Sequence, residues 1–176
     1  LSSAMAVAAG AGHAMVVRQC WALGARDADR AMLAAAAGGH AAITQQCRVW
    51  GARNTGEAMA TAARGGRAAI VRLCYAWAAQ DSKDAEDPAS LSYCITRALE
   101  GAARGGQLAI LRQCWEWGRI HRRGWGARDA DLALRAAARD ADLALRAAVR
   151  GGHVAIARQC RAWGARDVDG AEEAIA

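Results

Sequence analysis

The stretch that decides the fold is residues 35–52, which read AAAGGHAAITQQCRVWGA. Alanines lead into a Gly-Gly-His turn, and Ile43, Cys47 and Trp50 follow at i, i+4 and i+7, which places them on one face of a second helix. Gly51 ends that helix, because glycine tolerates the left-handed conformation that a helix exit requires. The stretch predicts a pair of short helices. Since such helices are marginal alone, each pair has to stack on neighbours.

The same pattern returns along the chain at intervals of 27, 27, 40 and 46 residues. Three markers keep these intervals: the turn, a cysteine and the residue three positions after it. They are Gly12, Gly39, Gly66, Gly106 and Gly152; Cys20, Cys47, Cys74, Cys114 and Cys160; and Leu23, Trp50, Trp77, Trp117 and Trp163. Because the three markers recur at the same intervals, they indicate a 27-residue repeat with insertions. We expect a single repeat domain over 1–176, with units at about 1–24, 25–51, 52–78, 79–118 and 126–164, and a partial sixth unit at 165–176.

Composition favours helix throughout. Hydrophobic residues make up 54% of the chain, most of them alanine, while Phe is absent and Pro88 is the single proline. Alanine is the best helix former, and the β-branched and aromatic residues that strands prefer are sparse. We therefore expect an all-α protein with close-packed helices and thin cores. Asp27 or Asp29 would cap the first helix of its unit.

The longest interval contains a tandem duplication, because residues 127–137 and 138–148 both read ARDADLALRAA. Eleven residues turn a helix by about three turns plus 20°, so the faces stay almost in phase. We predict one long helix from about Asp129 to Arg150. The alternative is a break in which Asp140 caps a helix of normal length.

The repeat resembles the ankyrin repeat, with its two alanines, Gly-His, Ile-Val, leucine pair and Gly-Ala-Asp, and the resemblance covers all five units. The matching residues read Ala35-Ala36-x-x-Gly39-His40-x-x-Ile43-x-x-x-Cys47-x-x-x-Gly51-Ala52. Ankyrin units have about 33 residues and open with Thr-Pro-Leu-His, which is absent here. The shortening falls where ankyrin repeats build a β-turn finger. The resemblance implies an ankyrin-like solenoid of stacked helix-turn-helix repeats with shortened or absent fingers, such as a tight turn at 52–56.

The resemblance also implies a function, which is binding a partner protein through an extended repeat surface. Tryptophan before Gly-Ala, and cysteine in place of leucine, resemble ankyrin-like arrays of large DNA viruses, which typically bind host proteins. A viral chain acting in the cytoplasm or nucleus of a host cell is the corresponding expectation. First helices would line the inner surface, where the candidate contact residues are Arg30, Glu57, Arg97 and Arg146. Turn residues are further candidates, namely Arg26, Arg53, Arg128 and Arg166.

Aromatic residues follow the cysteine in three units, at Trp21, Tyr75 and Trp115. Two interpretations are open. They form an exposed stripe that anchors a partner, since Trp and Tyr dominate binding hot spots. Alternatively, they pack against the next repeat.

Charge adds a second candidate function. The net charge is +6, and 22 of the 23 basic residues are arginine. This balance fits a nucleic-acid or polyanion-binding array, or simply a GC-rich coding sequence. The first insertion is acidic and the second is basic, so contacts of Arg122 or Arg123 with Asp84, Glu86 or Asp87 are predicted; each charge run also fits a solvated loop. Arg119, Arg122 and Arg123 are candidate partner-binding residues.

Five cysteines recur at one core position, where neighbouring units are about 10 Å apart. That spacing is too wide for a disulfide, which needs Cα atoms within about 7 Å, and for ligands that converge on one zinc ion. We expect buried, reduced thiols, Cys94 included, and an intracellular setting. His13, His40 and His153 share the turn position and are expected to bond local backbone there.

Nothing in the sequence indicates catalysis. It contains no Ser/His/Asp set, phosphate loop or paired carboxylates, so neither an enzyme nor a cofactor is expected. No run of about 18 apolar residues predicts a membrane span. A start at Leu1 and not at Met is consistent with a processed or excised fragment. The perfect duplication leaves a further alternative, a decaying or expanding repeat fragment without a function of its own.

Overall fold

The computed structural model of the chain describes residues 1–85, 87–123 and 130–166, with only the backbone at 88, 123, 130–134 and 136. This part of the chain is all-α and contains no strand. Its helices are α1 (Ser2–Gly10), α2 (Ala14–Ala22), α3 (Ala28–Gly38), α4 (Ala41–Val49), α5 (Thr55–Arg64), α6 (Ala68–Asp84), α7 (Pro88–Arg104), α8 (Leu108–Arg123), α9 (Ala130–Arg150) and α10 (Val154–Ala162).

The helices form five consecutive pairs, which we number as units 1 to 5 from α1–α2 to α9–α10. Within each unit the two helices pack on each other, and the first helices pack in a row, α1 on α3, α3 on α5, α5 on α7 and α7 on α9. Residues 167–176, assigned to a sixth unit, lie outside the described residues. The five helix pairs predicted from the repeat are confirmed.

A column of large side chains runs through the first helices. At one repeat position the residue is fully or almost fully buried in every unit: Met5, Met32, Met59, Leu99 and Leu145. Alanines surround this column, so the helices approach closely and each unit closes its core only against the next. This is the dependence between neighbours that stacked repeats show.

The Gly-Gly pair serves two separate purposes. Gly39 has φ +91° and ends α3 in the left-handed region, where it donates to Ala35 O. Gly38 has an ordinary backbone, but a Cβ there would lie 2.3 Å from the carbonyl oxygen of Gly10. The first glycine therefore permits close approach between units, and the second permits the turn.

The acidic insertion lengthens a helix and does not form a loop of its own. Trp50 and Trp163 are each followed by a positive-φ glycine, whereas Trp77 is followed by Ala78, and α6 continues to Asp84. Asp87 then caps α7 by accepting from Ala89 N at 3.0 Å. The expected unit boundary at 78/79 consequently lies inside α6, and that at 118 inside α8.

From residue 130 onwards the duplicated segment forms one continuous helix, as predicted, while the predicted start at Asp129 lies outside the described residues. Helix α9 runs unbroken through residues 136–142 to Arg150. Asp140 does not cap a helix, whereas its repeat equivalent Asp27 caps α3 by accepting from Arg30 N at 3.0 Å. The second half of α9 carries the residues that pack in the row, including Ala144 and Leu145. Helix continuity through alanine thus outweighs the capping preference of Asp140.

Candidate protein-binding surface

In two units a carboxylate on the first helix bonds the turn that follows the unit. Asp29 accepts hydrogen bonds from Arg53 N and Asn54 N, both at 2.8 Å. Asp142, its repeat equivalent, accepts from Arg166 N at 2.8 Å. Asp29 is therefore a link to the following turn and not the helix cap that its position suggested. These bonds set the position of the turns that carry Arg53 and Arg166.

The turn histidines form a second link between units. His40 Nε2 lies 3.1 Å from Gly10 O, and His153 Nε2 lies 3.1 Å from Arg104 O. Because a carbonyl only accepts, Nε2 carries the proton and donates. The prediction of a structural role that bonds backbone is confirmed for His40 and His153 and not for His13, and the carbonyl belongs to the preceding unit and not to the local turn.

Aromatic stacking forms a third link, between second helices. The ring centroids of Trp21 and Trp50 are 4.5 Å apart, and the planes differ by 1°. Equivalent stacked pairs recur further along, at 4.1 Å and 4.4 Å; they are Tyr75 with Trp117 and Trp115 with Trp163. Of the two interpretations of these aromatics, packing against the next repeat is confirmed. Each such pair contributes about 0.5–1.5 kcal/mol beyond burial of area.

In the second unit an arginine takes the aromatic position. The Arg48 guanidinium lies 5.8 Å from the centroid of the Trp77 ring, within cation–π range. Arg48 Nη2 also donates to both carboxylate oxygens of Asp81, at 2.5 and 2.6 Å, on the extended part of α6. An acidic residue of the first insertion thus neutralises this arginine within the stack.

All six cysteines are buried and carry free thiols, so the predicted burial is confirmed. Burial raises the pKa of Cys47 and Cys94 to about 11, and that of Cys74, Cys114 and Cys160 to about 12. Thiols with such pKa values are protonated at neutral pH and are poor nucleophiles. Within the described ranges no three His, Cys, Asp or Glu side chains converge as metal ligands.

Two of the candidate contact residues on the first helices bind each other. Arg97 donates from Nε and NH2 to the two carboxylate oxygens of Glu57, at 2.8 and 2.9 Å. This hydrogen bonding lowers the pKa of Glu57. Arg97 also pairs with Glu100. The other two candidates, Arg30 and Arg146, are exposed, and they are the better placed for a partner.

The basic insertion also differs from expectation. Arg122 pairs with Asp140 of α9 at 2.8 Å and lies 5.5 Å from the Trp115 ring, so its predicted pairing with the acidic insertion is wrong. Asp140 is buried and accepts a second bond from Thr96 at 2.8 Å. Arg119 pairs on its own helix with Glu116 at 2.6 Å. Arg122 reaches Asp140 because α8 extends to Arg123 and its end lies beside α9.

Three residues that sequence analysis singled out in the insertions are not covered. The side chain of Arg123 and all of Glu86 and Arg128 lie outside the described residues.

One cluster that sequence analysis missed is a basic depression of about 350 Å³ on α9. It is lined by Arg135, Arg139, Arg146, Arg166 and Asp142, together with Ala138 and Leu143. The first three arginines recur at i, i+4 and i+11, which is one helical face, so periodicity was the signal available. Arginines in this arrangement suit anionic groups.

No protein-family model matches the chain, and no curated protein matches it. The likeness to ankyrin repeats therefore rests on the residue pattern alone. None of the helices in the described ranges is long and apolar enough to cross a membrane.

Proposed function

We propose that the chain is an ankyrin-like solenoid that acts as a scaffold, binding a partner protein through its extended repeat surface. The observation that supports this most is the recurrence of the same links between units. The histidine–carbonyl bond and the aromatic stack each occur at two or more junctions, and the carboxylate–turn bond occurs after units 2 and 5.

These links matter for binding because they hold surface side chains in fixed positions. A partner that docks on a preordered surface does not have to offset the entropy of ordering it. Turns shortened to residues 23–27 and 50–54 leave no projecting fingers there, so recognition falls to the helix faces. Arg30 and Arg146 are the exposed first-helix positions that a partner would contact.

The test is capture of partner proteins by the intact chain, followed by measured affinity for each. Arg30→Glu and Arg146→Glu reverse charge on the first helices, and Arg158→Glu makes the same change on an exposed second-helix position as a control. We expect the first two variants to weaken a specific partner at least about tenfold, since charge reversal in an interface costs over 1 kcal/mol. The proposal is contradicted if no protein binds the chain saturably. It is also contradicted if every partner binds Arg30→Glu and Arg146→Glu with the affinity it has for the parent chain.

The basic depression on α9 favours a second candidate, a nucleic-acid or polyanion-binding array. Its test is a salt titration with double-stranded and single-stranded oligonucleotides, because phosphate contacts weaken steeply with salt. A slope of about −3 to −4 in log K against log salt would match neutralisation of four phosphates on duplex DNA. Weak binding that Arg139→Ala and Arg146→Ala leave unchanged would reject this candidate.

A further inference from the structure

Two grooves with the same construction lie between second helices, one at the junction of units 1 and 2 and one at that of units 3 and 4. The first lies between α2 and α4 and has a volume of about 130 Å³; the second lies between α6 and α8 and has about 160 Å³. Pockets for drug-sized ligands or cofactors measure about 300–1,000 Å³, so these grooves fit a single side chain each.

The lining of the two grooves matches position by position in the repeat. The first is lined by Ala14, Val17, Arg18, Ala42, Ile43 and Gln46. The second is lined by Ala68, Val71, Arg72, Ala109, Ile110 and Gln113, with Trp117 in addition. Each therefore has a valine–isoleucine floor, alanine walls, and a rim of one arginine and one glutamine.

The rim groups have hydrogen-bonding capacity to offer. Arg72, Gln46 and Gln113 form no side-chain hydrogen bond within the described ranges, and Arg18 contacts only Met15 Sδ at 3.2 Å. A glutamine amide both donates and accepts, so it can pair with the N–H and C=O of a peptide backbone. The arginine favours a carboxylate beside the apolar anchor.

The other two junctions carry different residues at these positions. Between α8 and α10, Leu108 replaces the wall alanine, and Arg112 bonds Gln159 across the junction at 2.8 and 3.0 Å. Between α4 and α6, Leu73 replaces the rim glutamine. The combination of wall alanine, rim arginine and rim glutamine is therefore complete at the first and third junctions and incomplete at the second and fourth.

This arrangement sets a distance between the two grooves. They are two units apart, and packed helices are spaced by about 8–10 Å, which gives about 20 Å. An extended peptide rises about 3.3 Å per residue, so about six residues cover that distance. Side chains six apart point to the same side of an extended strand, since the side-chain period is two.

We propose that the second-helix face binds an extended acidic peptide, with two apolar side chains six residues apart inserted into the two grooves. The acidic groups pair with Arg18 and Arg72, and the peptide backbone pairs with Gln46 and Gln113. This proposal rests on the proposed function and names the partner's chemistry. It uses a face of the stack distinct from the first helices that carry Arg30 and Arg146.

The test uses the whole chain and labelled synthetic peptides measured by fluorescence anisotropy at low salt. The peptides have a Ser/Thr/Glu background with two leucines four, five, six or seven positions apart, and each is made with the glutamates before or after the leucines. We expect the peptide with the six-residue spacing to bind at least about tenfold more tightly than the one with the five-residue spacing. In the five-residue peptide the two leucines point to opposite sides of the strand, so only one can enter a groove. Equal affinity at all spacings, or no binding up to millimolar concentration, would overturn the proposal.

Variants copied from another junction locate the site. Ala14→Leu and Ala68→Leu introduce the leucine that stands at this repeat position as Leu108, and each should weaken binding of the best peptide about tenfold or more. Ala41→Leu makes the same change at the junction of units 2 and 3, where Leu73 stands in place of the rim glutamine, and should have no effect. If Ala41→Leu weakens the peptide as much as Ala14→Leu does, the grooves are not the site.

Rim variants keep the test decisive if a leucine variant folds poorly. Arg18→Ala and Arg72→Ala should each weaken the peptide two- to fivefold at low salt and less at high salt, because both groups are exposed. Arg158→Ala, at the same repeat position in unit 5, should change nothing. A partner protein that still binds Ala14→Leu/Ala68→Leu but not Arg30→Glu would overturn the groove proposal and leave the proposed function intact.

Discussion

Equivalent glycines at two turns offer a sharp test of how the units pack. Gly65 and Gly105 occupy the same repeat position and have nearly the same backbone, with φ −79° and ψ 0° in one and φ −92° and ψ 0° in the other. A Cβ at Gly105 would lie 2.1 Å from the carbonyl oxygen of Arg64, whereas a Cβ at Gly65 meets nothing closer than 3.6 Å. Alanine is therefore excluded at one position and accommodated at the other.

The expected effects have opposite signs. Gly105→Ala forces α5 and α7 apart by about 1 Å to restore van der Waals contact, and overpacking of this kind costs about 1–3 kcal/mol or more. Gly65→Ala should be neutral or stabilise by up to about 1 kcal/mol, because it reduces the entropy of the unfolded chain. In a chain of this length 1 kcal/mol shifts Tm by about 2–4 °C, so Gly105→Ala should lower Tm by about 2–12 °C.

The assay is thermal and urea unfolding followed by circular dichroism at 222 nm, with the two variants and the parent chain measured side by side. Because the backbone angles match, helix propensity and turn geometry cancel in the comparison, which leaves the contact between units. Equal Tm values for Gly65→Ala and Gly105→Ala would refute the close approach of α5 to α7 on which the row of first helices depends.

Three further predictions concern the buried polar and thiol groups. Arg122→Ala leaves the Asp140 carboxylate unpaired at 4% side-chain exposure, so unfolding in urea should show a loss of about 3 kcal/mol, while Arg119→Ala, in an exposed pair, should cost almost nothing. Burial raises the pKa of Asp140 above its usual value of about 3.9, so its contribution to stability is fully present below that pH and is lost as pH rises through the raised pKa. Asp140→Asn should remove this fall in the free energy of unfolding with rising pH. A stability–pH profile that is the same in the variant and the parent chain would contradict the raised pKa of Asp140. A thiol reagent at pH 7 should label the cysteines slowly in the native chain and all six promptly in denaturant; fast native labelling would show that they are not buried.

Local features could be predicted from the sequence because they depend on residues near each other in the chain. The Gly-Gly turns, the two-helix unit and the continuity of α9 through residues 136–142 all follow from periodicity, propensity and glycine placement. Burial of five of the six cysteines could be predicted for the same reason, since they recur on the apolar face of each second helix, whereas Cys94 lies on the first helix α7.

Contacts between units were harder to predict, and several expectations about them were wrong or incomplete. Asp29 looked like a helix cap, yet it accepts from the turn of the next unit. Arg122 looked like a partner for the acidic insertion, yet α8 carries it to Asp140. In both cases the residue type was informative, but the partner depended on how far a helix extends and where its neighbour lies.

The sequence by itself determined that the chain forms repeated helix pairs, because helix formation and termination are governed by residues within a few positions of one another. Only the tertiary structure decided where the first helices of neighbouring units approach closely and where grooves form between the second helices. Gly65 and Gly105 both stand in the sequence Ala-Ala-Arg-Gly-Gly, and they differ because the nearest carbonyl of the preceding unit would lie 3.7 Å from a Cβ at Gly65 and 2.1 Å from a Cβ at Gly105. Likewise, the grooves beside Arg18 and Arg72 exist because two helices, distant in sequence, bring an alanine wall and a glutamine rim to the same place.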